Sequence, residues 1–494
     1  MLTITEIKRY IDEDRVSKKK QQAKTGLRYY EQENDIKDYR IFYYDKDGKL
    51  QEDKNSLQIR AASGFFGELI DQKAQFSLST DDYIVDSDIP ELKDELDNYF
   101  DDEFKTQLKE VIRYGGIEGF SYLYTYQNED DRKAFVFAEG LTIVEVPSKY
   151  ASDKQDHVIY YYKDKQKTIG EEKDKDILKI QVWDKDFVYY YVEVDSTITP
   201  DTEYELNPRP HILYTTDKGK QFYDTFGFIP FFRYDNNIKQ VSDLKPVKDY
   251  IDDYDLMNYG LGDNIVKLSD GFVCVKGFQG DNIDELLTNF RNKKGIGVGD
   301  GGEIDVKTVS IPTEARLTKM KQDEKDIYRF GMGLNTTALG DGQYSNNVNI
   351  KTRYSLLDMK CDKAADNLKV LLKKIVKVVL DEINKRNGTG YTLKDVYFNI
   401  DKRETITNET DNAQIELIKA QAEQTKITTL LNIATKLGDE LLMKNICDVL
   451  DINYEDIKNK LPQTEQPNLD KASEDLLNST EDPIEEEPEE APIE

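Results

Sequence analysis

Histidine is nearly absent from this chain, since His157 and His211 are the only two among 494 residues. This scarcity argues against Ser-His-Asp triads, multi-histidine zinc sites and most histidine general bases. An enzyme would have to rely on carboxylates or lysines, and acidic residues are so abundant here that no pair of them stands out. We therefore expect no catalytic residues, no metal site and no cofactor.

Cysteine is also scarce, and long apolar runs are missing. The three cysteines, Cys274, Cys361 and Cys447, are odd in number, far apart and in no metal-ligand spacing. We therefore expect reduced thiols in an intracellular setting. No uninterrupted apolar run approaches the ~18–20 residues that a membrane-spanning helix needs. The first residues also lack the basic-then-apolar layout of a signal peptide, so we expect no membrane association.

Basic residues are outnumbered by acidic ones. The chain has 68 Lys and Arg against 97 Asp and Glu, which gives a formal net charge of -29. A protein that grips nucleic acid by neutralising phosphates usually shows a basic stripe and a high isoelectric point. The composition therefore leaves two possibilities open. Either the chain has no role with DNA, or it handles DNA without holding it tightly.

The first half of the chain is rich in strand patterns. Between residues 120 and 232, aromatic and β-branched segments alternate with charged, Gly- or Pro-containing turns, which predicts many antiparallel strands. Before them, the pattern predicts a helix over roughly the first twenty residues, helices over Asn55–Phe76 and Pro90–Tyr114, and a hairpin turn at Asp47-Gly48. The length favours two to four domain-sized units, because single cores rarely exceed ~250–300 residues. The fold class is α+β.

Helices dominate the second half. One helix follows Pro246 and another begins at Pro312-Thr313, and between them lies a small α/β insert of about forty residues. After a polar loop rich in Gly and Asn, apolar residues from Tyr354 to Ile383 recur three and four apart. This spacing predicts a helix of roughly 50 Å, at a rise of ~1.5 Å per residue, that ends at Asn387-Gly388. A strand, two further helices over residues 409–437 and 439–450, and an acidic Pro-rich tail follow.

Five segments resemble, in their order along the chain, the portal protein family of siphoviruses that infect Gram-positive bacteria. They are YYEQENDI, LIDQKAQFSLS, KPVKDYIDDYDLMNYGLGDNI, IPTEARLTKMKQDEKDIYRF and NVNIKTRYSLLDMKCDKAADNL. The likeness spans roughly Tyr29 to Leu450 and depends on the order of the segments rather than on any one of them.

The resemblance implies a helix-rich α+β portal fold that assembles as a ring, with a wing, a stem, a clip, a tunnel loop and a crown. In this sequence the implied parts are the wing (1–241), stem helix 1 (242–268), the clip (269–311), stem helix 2 (312–335), the tunnel loop (336–351), a second wing segment with the long helix and a strand (352–408), the crown (409–460) and an acidic disordered tail (461–494).

The resemblance also implies a function and a set of partners. Family members form closed rings of twelve at one capsid vertex, where double-stranded DNA is packaged and later ejected. The implied partners are further copies of the chain, double-stranded DNA, the terminase large subunit, the head–tail connector, and the major capsid and scaffold proteins. The implied locations are the virion and, during assembly, the host cytoplasm. An acidic channel wall fits this function, because it repels the duplex and avoids the strong phosphate pairing that would slow sliding.

The resemblance places candidate functional residues in three segments. In the tunnel loop, the residues expected to face DNA are Asp341, Gln343, Tyr344, Asn346, Asn347 and Lys351. In stem helix 2, Lys319, Lys321 and Lys325 are possible channel-facing residues, with a solvated outer face as the alternative. In the clip, the candidate contacts with the terminase or the connector are Phe278, Gln279, Asp281, Asn292 and Lys293.

Two other functions remain open on the sequence. One is a different head–tail connector or minor capsid protein, although such proteins are usually shorter and lack this order of helix, clip, helix, loop and long helix. The other is a carboxylate-dependent hydrolase, which would need a pocket with converging acids. GIGVGDGG at residues 295–302 is interpreted as a turn, because a strand pattern rather than a helix follows it. No GxxxxGK[ST] motif occurs, so we expect ATP hydrolysis to belong to a separate motor.

Overall fold

The computed structural model describes residues 1–45, 47–54, 56–80, 82–151, 155–166, 175–215, 221–268, 272–276, 301–307, 312–336, 347–401, 403, 409–436, 439–450 and 454. The chain forms two compact units. The first consists of Met1–Gly342 with Thr352–Thr405, and the second of Gln343–Lys351 with Ile406–Glu494. Among the helices in the described ranges, none combines the length and the apolar character that crossing a bilayer requires.

Helices occur along the whole described chain. They are α1 (Ile4–Val16), α2 (Lys18–Tyr30), α3 (Phe65–Ser77), α4 (Pro90–Asp97), α5 (Asp102–Glu118), α6 (Lys248–Leu268), α7 (Thr313–Gly331), α8 (Asn347–Asn387), α9 (Glu409–Asn432) and α10 (Asp439–Val449). The helices predicted after Pro246, from Pro312-Thr313 and over the long apolar stripe are confirmed as α6, α7 and α8. The α8 helix stops before Gly388, whose φ of +67° is the left-handed conformation that favours glycine.

Most of the strands lie between α5 and α6. The strands are β1 (Phe42–Tyr44), β2 (Leu50–Glu52), β3 (Val85–Asp86), β4 (Phe120–Gln127), β5 (Lys133–Ala138), β6 (Ile143–Pro147), β7 (Gln155–Gln166), β8 (Lys175–Trp183), β9 (Phe187–Val194), β10 (Thr197–Pro200), β11 (Arg209–Pro210), β12 (Ile212–Thr215), β13 (Gln221–Asp224), β14 (Phe231–Asp235), β15 (Phe272–Lys276), β16 (Glu303–Lys307) and β17 (Tyr397–Phe398). The strand patterns between residues 120 and 232 are thus confirmed, and the mixed helix and sheet content agrees with the α+β class.

The described strands pair in antiparallel fashion. The largest sheet has the order β10-β9-β8-β7-β6, with β11 also paired to β9, and a second sheet has the order β14-β4-β5. The other pairs each form a two-stranded sheet, namely β1–β2, β12–β13, β15–β16 and β17 with the distant β3. The hairpin predicted at Asp47-Gly48 is therefore present as β1–β2, and the φ of +75° at Gly48 explains the glycine there.

The main core joins α8 to the N-terminal half of the chain. Buried residues of α4, α5, β4 and β5 pack against the C-terminal part of α8, where Leu372, Ile375, Val376 and Val379 are completely inaccessible to solvent. A second core cluster holds α2, α3, α6 and α7 together, and a third packs α1 against the large sheet. In the second unit, α9 contacts α10, and Cys447 is a buried free thiol.

Two helix predictions near the N-terminus are wrong in their limits. The single helix expected over the first residues is two helices, because Ser17 is extended and its hydroxyl accepts a hydrogen bond from the Lys20 backbone N–H at 3.2 Å. The helix expected from Asn55 begins only at Phe65. The segment before it stays extended because the backbone N–H groups of Leu57 and Ser63 donate to carboxylates of α6, more than 190 residues further along the chain.

The helix predicted over Pro90–Tyr114 is also wrong in its limits. It is divided into α4 and α5, and Asp101 caps α5 by accepting a hydrogen bond from the Phe104 N–H at 2.9 Å. The Gly115-Gly116 pair does not end α5, which continues to Glu118. A Cβ atom at Gly115 would lie 2.4 Å from the ring of Tyr234, so this glycine serves close packing rather than helix termination.

A buried acid at the end of α5 gives the first testable prediction. Glu118 is completely buried, one carboxylate oxygen accepts from the Leu141 N–H at 3.0 Å, and the other oxygen has no partner among the described residues. Burial, with a smaller contribution from the Glu139 carboxylate, raises the pKa of Glu118 from 4.5 to about 8. Between these two pKa values the folded chain holds a proton that the unfolded chain has lost.

Replacing Glu118 with glutamine should therefore flatten the pH dependence of stability. In the natural chain the Glu118 contribution to stability falls as pH rises from about 4.5 to about 8, by at most about 1.4 kcal/mol per pH unit. Melting temperatures at pH 5, 6.5 and 8 would measure the slope for both proteins. Glu91→Gln, at an exposed acid in the first turn of α4, is the matched control. Equal slopes for Glu118→Gln and the natural chain would contradict this assignment.

Candidate functional site

The helices predicted to form the stem lie side by side in antiparallel directions. Tyr250, near the start of α6, stacks on Phe330, near the end of α7, with ring centroids 5.3 Å apart. At the other end of the pair, a Cβ atom at Gly260 would lie 2.4 Å from the guanidinium of Arg316. The missing side chain at Gly260 therefore lets the Arg316 guanidinium lie against α6.

The three candidate lysines of α7 differ in their surroundings. Lys319 forms ion pairs with Asp253 of α6 and with Asp323 of its own helix, so its charge joins the two helices. Lys321 and Lys325 are exposed, and they form no ion pair with any residue that the structure describes. Of the three lysines, these two remain able to contact a passing phosphate.

Arg329 extends the row of exposed cations, although the sequence interpretation did not single it out. It follows Lys325 by four residues, as Lys325 follows Lys321, so the three side chains occupy neighbouring positions on one side of α7. Arg329 is exposed and likewise has no ion-pair partner in the described ranges. The four-residue spacing would have revealed this residue. We call Lys321, Lys325 and Arg329 the cation row.

The aspartates of α6 bind other parts of the same chain. Asp255 is buried, and it accepts hydrogen bonds from the Asn34 amide at 2.7 Å and from the Ser63 N–H at 2.9 Å. Burial raises the pKa of Asp255 despite these hydrogen bonds. Asp263 accepts from the Leu57 N–H at 2.7 Å. These contacts fix the extended segment before α3 against α6.

Asp252 is bound in a similar way. It accepts hydrogen bonds from the Tyr29 hydroxyl and, at 2.6 Å, from the Lys248 ammonium. The Lys248 ammonium also reaches Asp35 at 2.6 Å. Together with the Asp253–Lys319 pair, these contacts engage most of the α6 acids within the chain. Four of the five aspartates of α6 are therefore bound by other groups of the chain.

The backbone just before the predicted tunnel loop is held by one side chain of α3. The Gln72 amide accepts a hydrogen bond from the Leu334 N–H and donates one to the Leu334 carbonyl, both at 2.8 Å. Gln72 also donates to Glu68 at 3.0 Å, and Glu68 accepts from the Tyr328 hydroxyl at 2.5 Å. Both backbone groups of Leu334, the N–H and the carbonyl, are therefore hydrogen-bonded shortly after α7 ends.

Close packing reinforces this anchor. A Cβ atom at Gly333 would lie 2.2 Å from a methyl carbon of Leu69, so only glycine fits at this position without displacing the buried leucine. On the other side of the loop, Tyr354 of α8 packs against Phe76, also from α3, with ring centroids 5.4 Å apart. The α3 helix therefore contacts the chain both before and after the predicted tunnel loop.

Most of the predicted loop and clip residues lie outside the part of the chain that the structure describes. These are Asp341, Gln343, Tyr344 and Asn346 in the loop, and Phe278, Gln279, Asp281, Asn292 and Lys293 in the clip. The α8 helix begins at Asn347, so Asn347 and Lys351 belong to its first turns, and Lys351 is exposed. Of the clip, the described residues are 272–276 and 301–307, which contain the paired strands β15 and β16 with Phe272 opposite Lys307.

A buried ionic cluster lies where α3, α7, α8 and the start of α6 meet. Asp243 accepts from the Lys73 ammonium at 2.8 Å and lies 3.5 Å from the Lys360 ammonium. Lys73 also donates to the Asn236 amide oxygen at 2.5 Å, and Lys360 donates to the Gly331 carbonyl at 2.9 Å. Burial alone would raise the pKa of Asp243, but the two ammonium groups hold it well below its ordinary value. No pattern in the sequence indicated this cluster.

The alternative of a carboxylate-dependent hydrolase would need a pocket whose converging acids are not already bound by cations of the chain. A cavity of about 500 Å³ between β12–β13 and the end of α8 contains Asp381 and Glu382. Glu382 is bound by Lys133 at 2.6 Å and by Arg386 at 3.3 Å, as in a structural ion pair. Among the described residues, no group of His, Cys, Asp or Glu side chains has the arrangement of a metal site.

Comparison with known proteins identifies the family. The chain is 27% identical over 354 residues to the portal protein of Bacillus phage SPP1. The aligned region covers 70% of this chain and 67% of that protein. It is 23% identical over 375 residues to the portal protein of Clostridium phage phiCD119. Here the aligned region covers 69% of this chain and 77% of that protein. The model of the family described as "Phage portal protein, SPP1 Gp6-like" matches residues 9–458. The chain therefore belongs to the phage portal protein family.

Proposed function

We propose that twelve copies of the chain form a ring at one capsid vertex, and that double-stranded DNA enters and leaves the capsid through its central channel. The observation that carries this proposal is the antiparallel α6–α7 pair, in which Gln72 anchors Leu334, two residues before the predicted tunnel loop. In the ring, α6 and α7 would form the channel wall, and residues 336–351 would form its narrowest part.

The electrostatics of the stem suit a channel through which DNA slides. The cation row offers three exposed charges per subunit, while Lys319 is occupied by two carboxylates. Each phosphate that a protein neutralises strengthens binding through counterion release. A few isolated cations would contact the duplex briefly and release it, whereas a continuous basic surface would retain it.

The remaining partners follow from the same proposal. The clip at residues 269–311 would dock the terminase large subunit during packaging and the head–tail connector afterwards. The wing and the crown at residues 409–460 would contact the major capsid and scaffold proteins. The ring would assemble in the host cytoplasm and remain in the virion. The chain would have no catalytic activity of its own, and the terminase would supply the energy for DNA movement.

The ring is tested by negative-stain microscopy and native mass spectrometry of the purified full-length chain. We expect closed rings of twelve with a central hole wide enough for a DNA duplex. A chain that stays monomeric at every concentration, alone and with scaffold protein, would contradict the proposal.

Bulky residues at the predicted tunnel loop should block DNA without blocking assembly. We expect the double change Asn346→Trp and Asn347→Trp to abolish packaging while leaving ring formation intact, because the added rings would narrow the channel. Nuclease-protected DNA in a packaging assay and microscopy of the purified rings would measure the two effects. Asn98→Trp, at an exposed residue after α4, is the matched control. Normal packaging by the double variant would contradict the tunnel assignment.

A further inference from the structure

The β1–β2 hairpin exposes an unusual number of large apolar side chains. All six residues of its two strands are exposed. Phe42 is 54% exposed, Tyr43 52%, Tyr44 75% and Leu50 57%. A two-stranded ribbon by itself is at best marginally stable in water, and aromatic side chains are favoured at the centres of protein interfaces. This composition is typical of a surface that another protein covers.

The hairpin is firmly attached to α6. The Tyr39 ring meets the Tyr259 ring of α6 edge-on at 5.5 Å, and the Tyr259 hydroxyl donates to the Leu57 carbonyl at 3.0 Å. After the second strand, Asp53 accepts from Lys267 of α6 at 2.8 Å. These contacts fix both ends of the hairpin segment to one stem helix, so its aromatic residues project at a defined position beside the stem.

The charge of this segment suits contact between identical acidic chains. Residues 39–52 contain three basic residues and three acidic ones, so the segment is neutral in a chain of net charge -29. Two copies of the chain repel each other through their net charge, and a neutral apolar patch allows contact without adding to that repulsion. In a ring, each subunit presents one surface to the next copy and a different surface to the previous one, so such a patch needs no second hairpin opposite it.

We infer that the β1–β2 hairpin is a contact between neighbouring copies, and that its aromatic side chains are covered by the adjacent subunit. This inference rests on the proposed ring, because only a ring places an adjacent subunit beside each copy of the hairpin. The hairpin is attached to α6, which would line the channel of that ring. The hairpin then contributes to closing the ring, and it is not a site for DNA or for the terminase.

The test removes the apolar side chains from one face of the hairpin. Phe42 and Tyr44 alternate with Tyr43 along β1 and share a face. The double change Phe42→Ser and Tyr44→Ser should raise the protein concentration at which half the chains are assembled by at least about tenfold, as expected for the loss of buried interface aromatics. Sedimentation velocity and native mass spectrometry would measure the assembly. The melting temperature of the unassembled chain should not change, because both side chains are exposed in one copy.

A matched control and a second measurement separate the possible outcomes. Tyr150→Ser removes an aromatic side chain that is 96% exposed elsewhere in the chain, and it should leave assembly unchanged. A photo-crosslinking p-benzoylphenylalanine in place of Tyr44, on the tested face, should join labelled and unlabelled copies in a mixed preparation. Intact rings of the double variant, or crosslinks only within one copy, would overturn the inference and leave the proposed ring standing. A natural chain that never forms rings would overturn both.

Discussion

Replacing Asp243 with alanine should lower the free energy of unfolding by about 3–5 kcal/mol, the usual cost of removing one partner from a buried ionic pair. The change leaves the ammonium groups of Lys73 and Lys360 buried without a carboxylate, since their side chains are only 3% and 10% exposed. Urea denaturation followed by the fluorescence of Trp183, the single tryptophan, would measure the loss.

Two further variants show whether charge is the cause. Lys360→Met added to Asp243→Ala removes one of the two uncompensated charges and should recover part of the lost stability. Asp249→Ala, at an exposed acid in the first turn of α6, should stay within about 0.5 kcal/mol of the natural chain. If Asp243→Ala were as mild as Asp249→Ala, the cluster would not hold α3, α6 and α8 together in solution.

Replacing Gln72 with glutamate should loosen the backbone just before the predicted tunnel loop. The carboxylate can still accept from the Leu334 N–H, but it cannot donate to the Leu334 carbonyl, and it would lie beside the Glu68 carboxylate. Leaving a partly buried polar group without its partner costs about 1–3 kcal/mol. Hydrogen exchange in peptides that cover residues 331–336 should become faster, and DNA packaging should fall while the rings persist.

Gln75→Glu is the matched control for this effect. Gln75 lies on the same helix, is exposed, and accepts one hydrogen bond from Lys109 at 3.3 Å, so the same chemical change is harmless there. We expect natural exchange rates and natural packaging for this control. Faster hydrogen exchange in Gln72→Glu with normal packaging would show that the Gln72–Leu334 contact is not needed for DNA packaging. Unchanged exchange would show that Gln72 does not hold this backbone in place.

The elements that the sequence predicts best are those with a strong local period. The apolar stripe of α8 and the strand patterns between residues 120 and 232 needed no information from elsewhere in the chain. The order of the stem, loop and long-helix segments was also enough to indicate the family, which the match over residues 9–458 confirms. Local patterns and their order therefore carried the fold class and the function.

The errors concern residues whose partners are distant in sequence. The segment around Leu57 has a helical pattern but is extended, because its N–H groups bind carboxylates of α6. Gly115 was interpreted as the end of a helix because its contact with the Tyr234 ring is invisible in the sequence. The ion pair of Lys319 was likewise not predicted, because its partner on α6, Asp253, is 66 residues away. Tertiary contacts decide these positions.

The pairing of the α6 carboxylates also determines where mobile ions gather around the stem. A carboxylate held by an ammonium group or by backbone N–H groups attracts few cations from solution, whereas DNA carries a condensed atmosphere of counterions. Asp252, Asp253, Asp255 and Asp263 are all held in this way. The stem helices therefore bring few ions of their own into the proposed channel, and DNA exchanges counterions mainly at the cation row. The friction between DNA and the stem should then fall as the concentration of monovalent salt rises, because each phosphate contact at the cation row releases counterions.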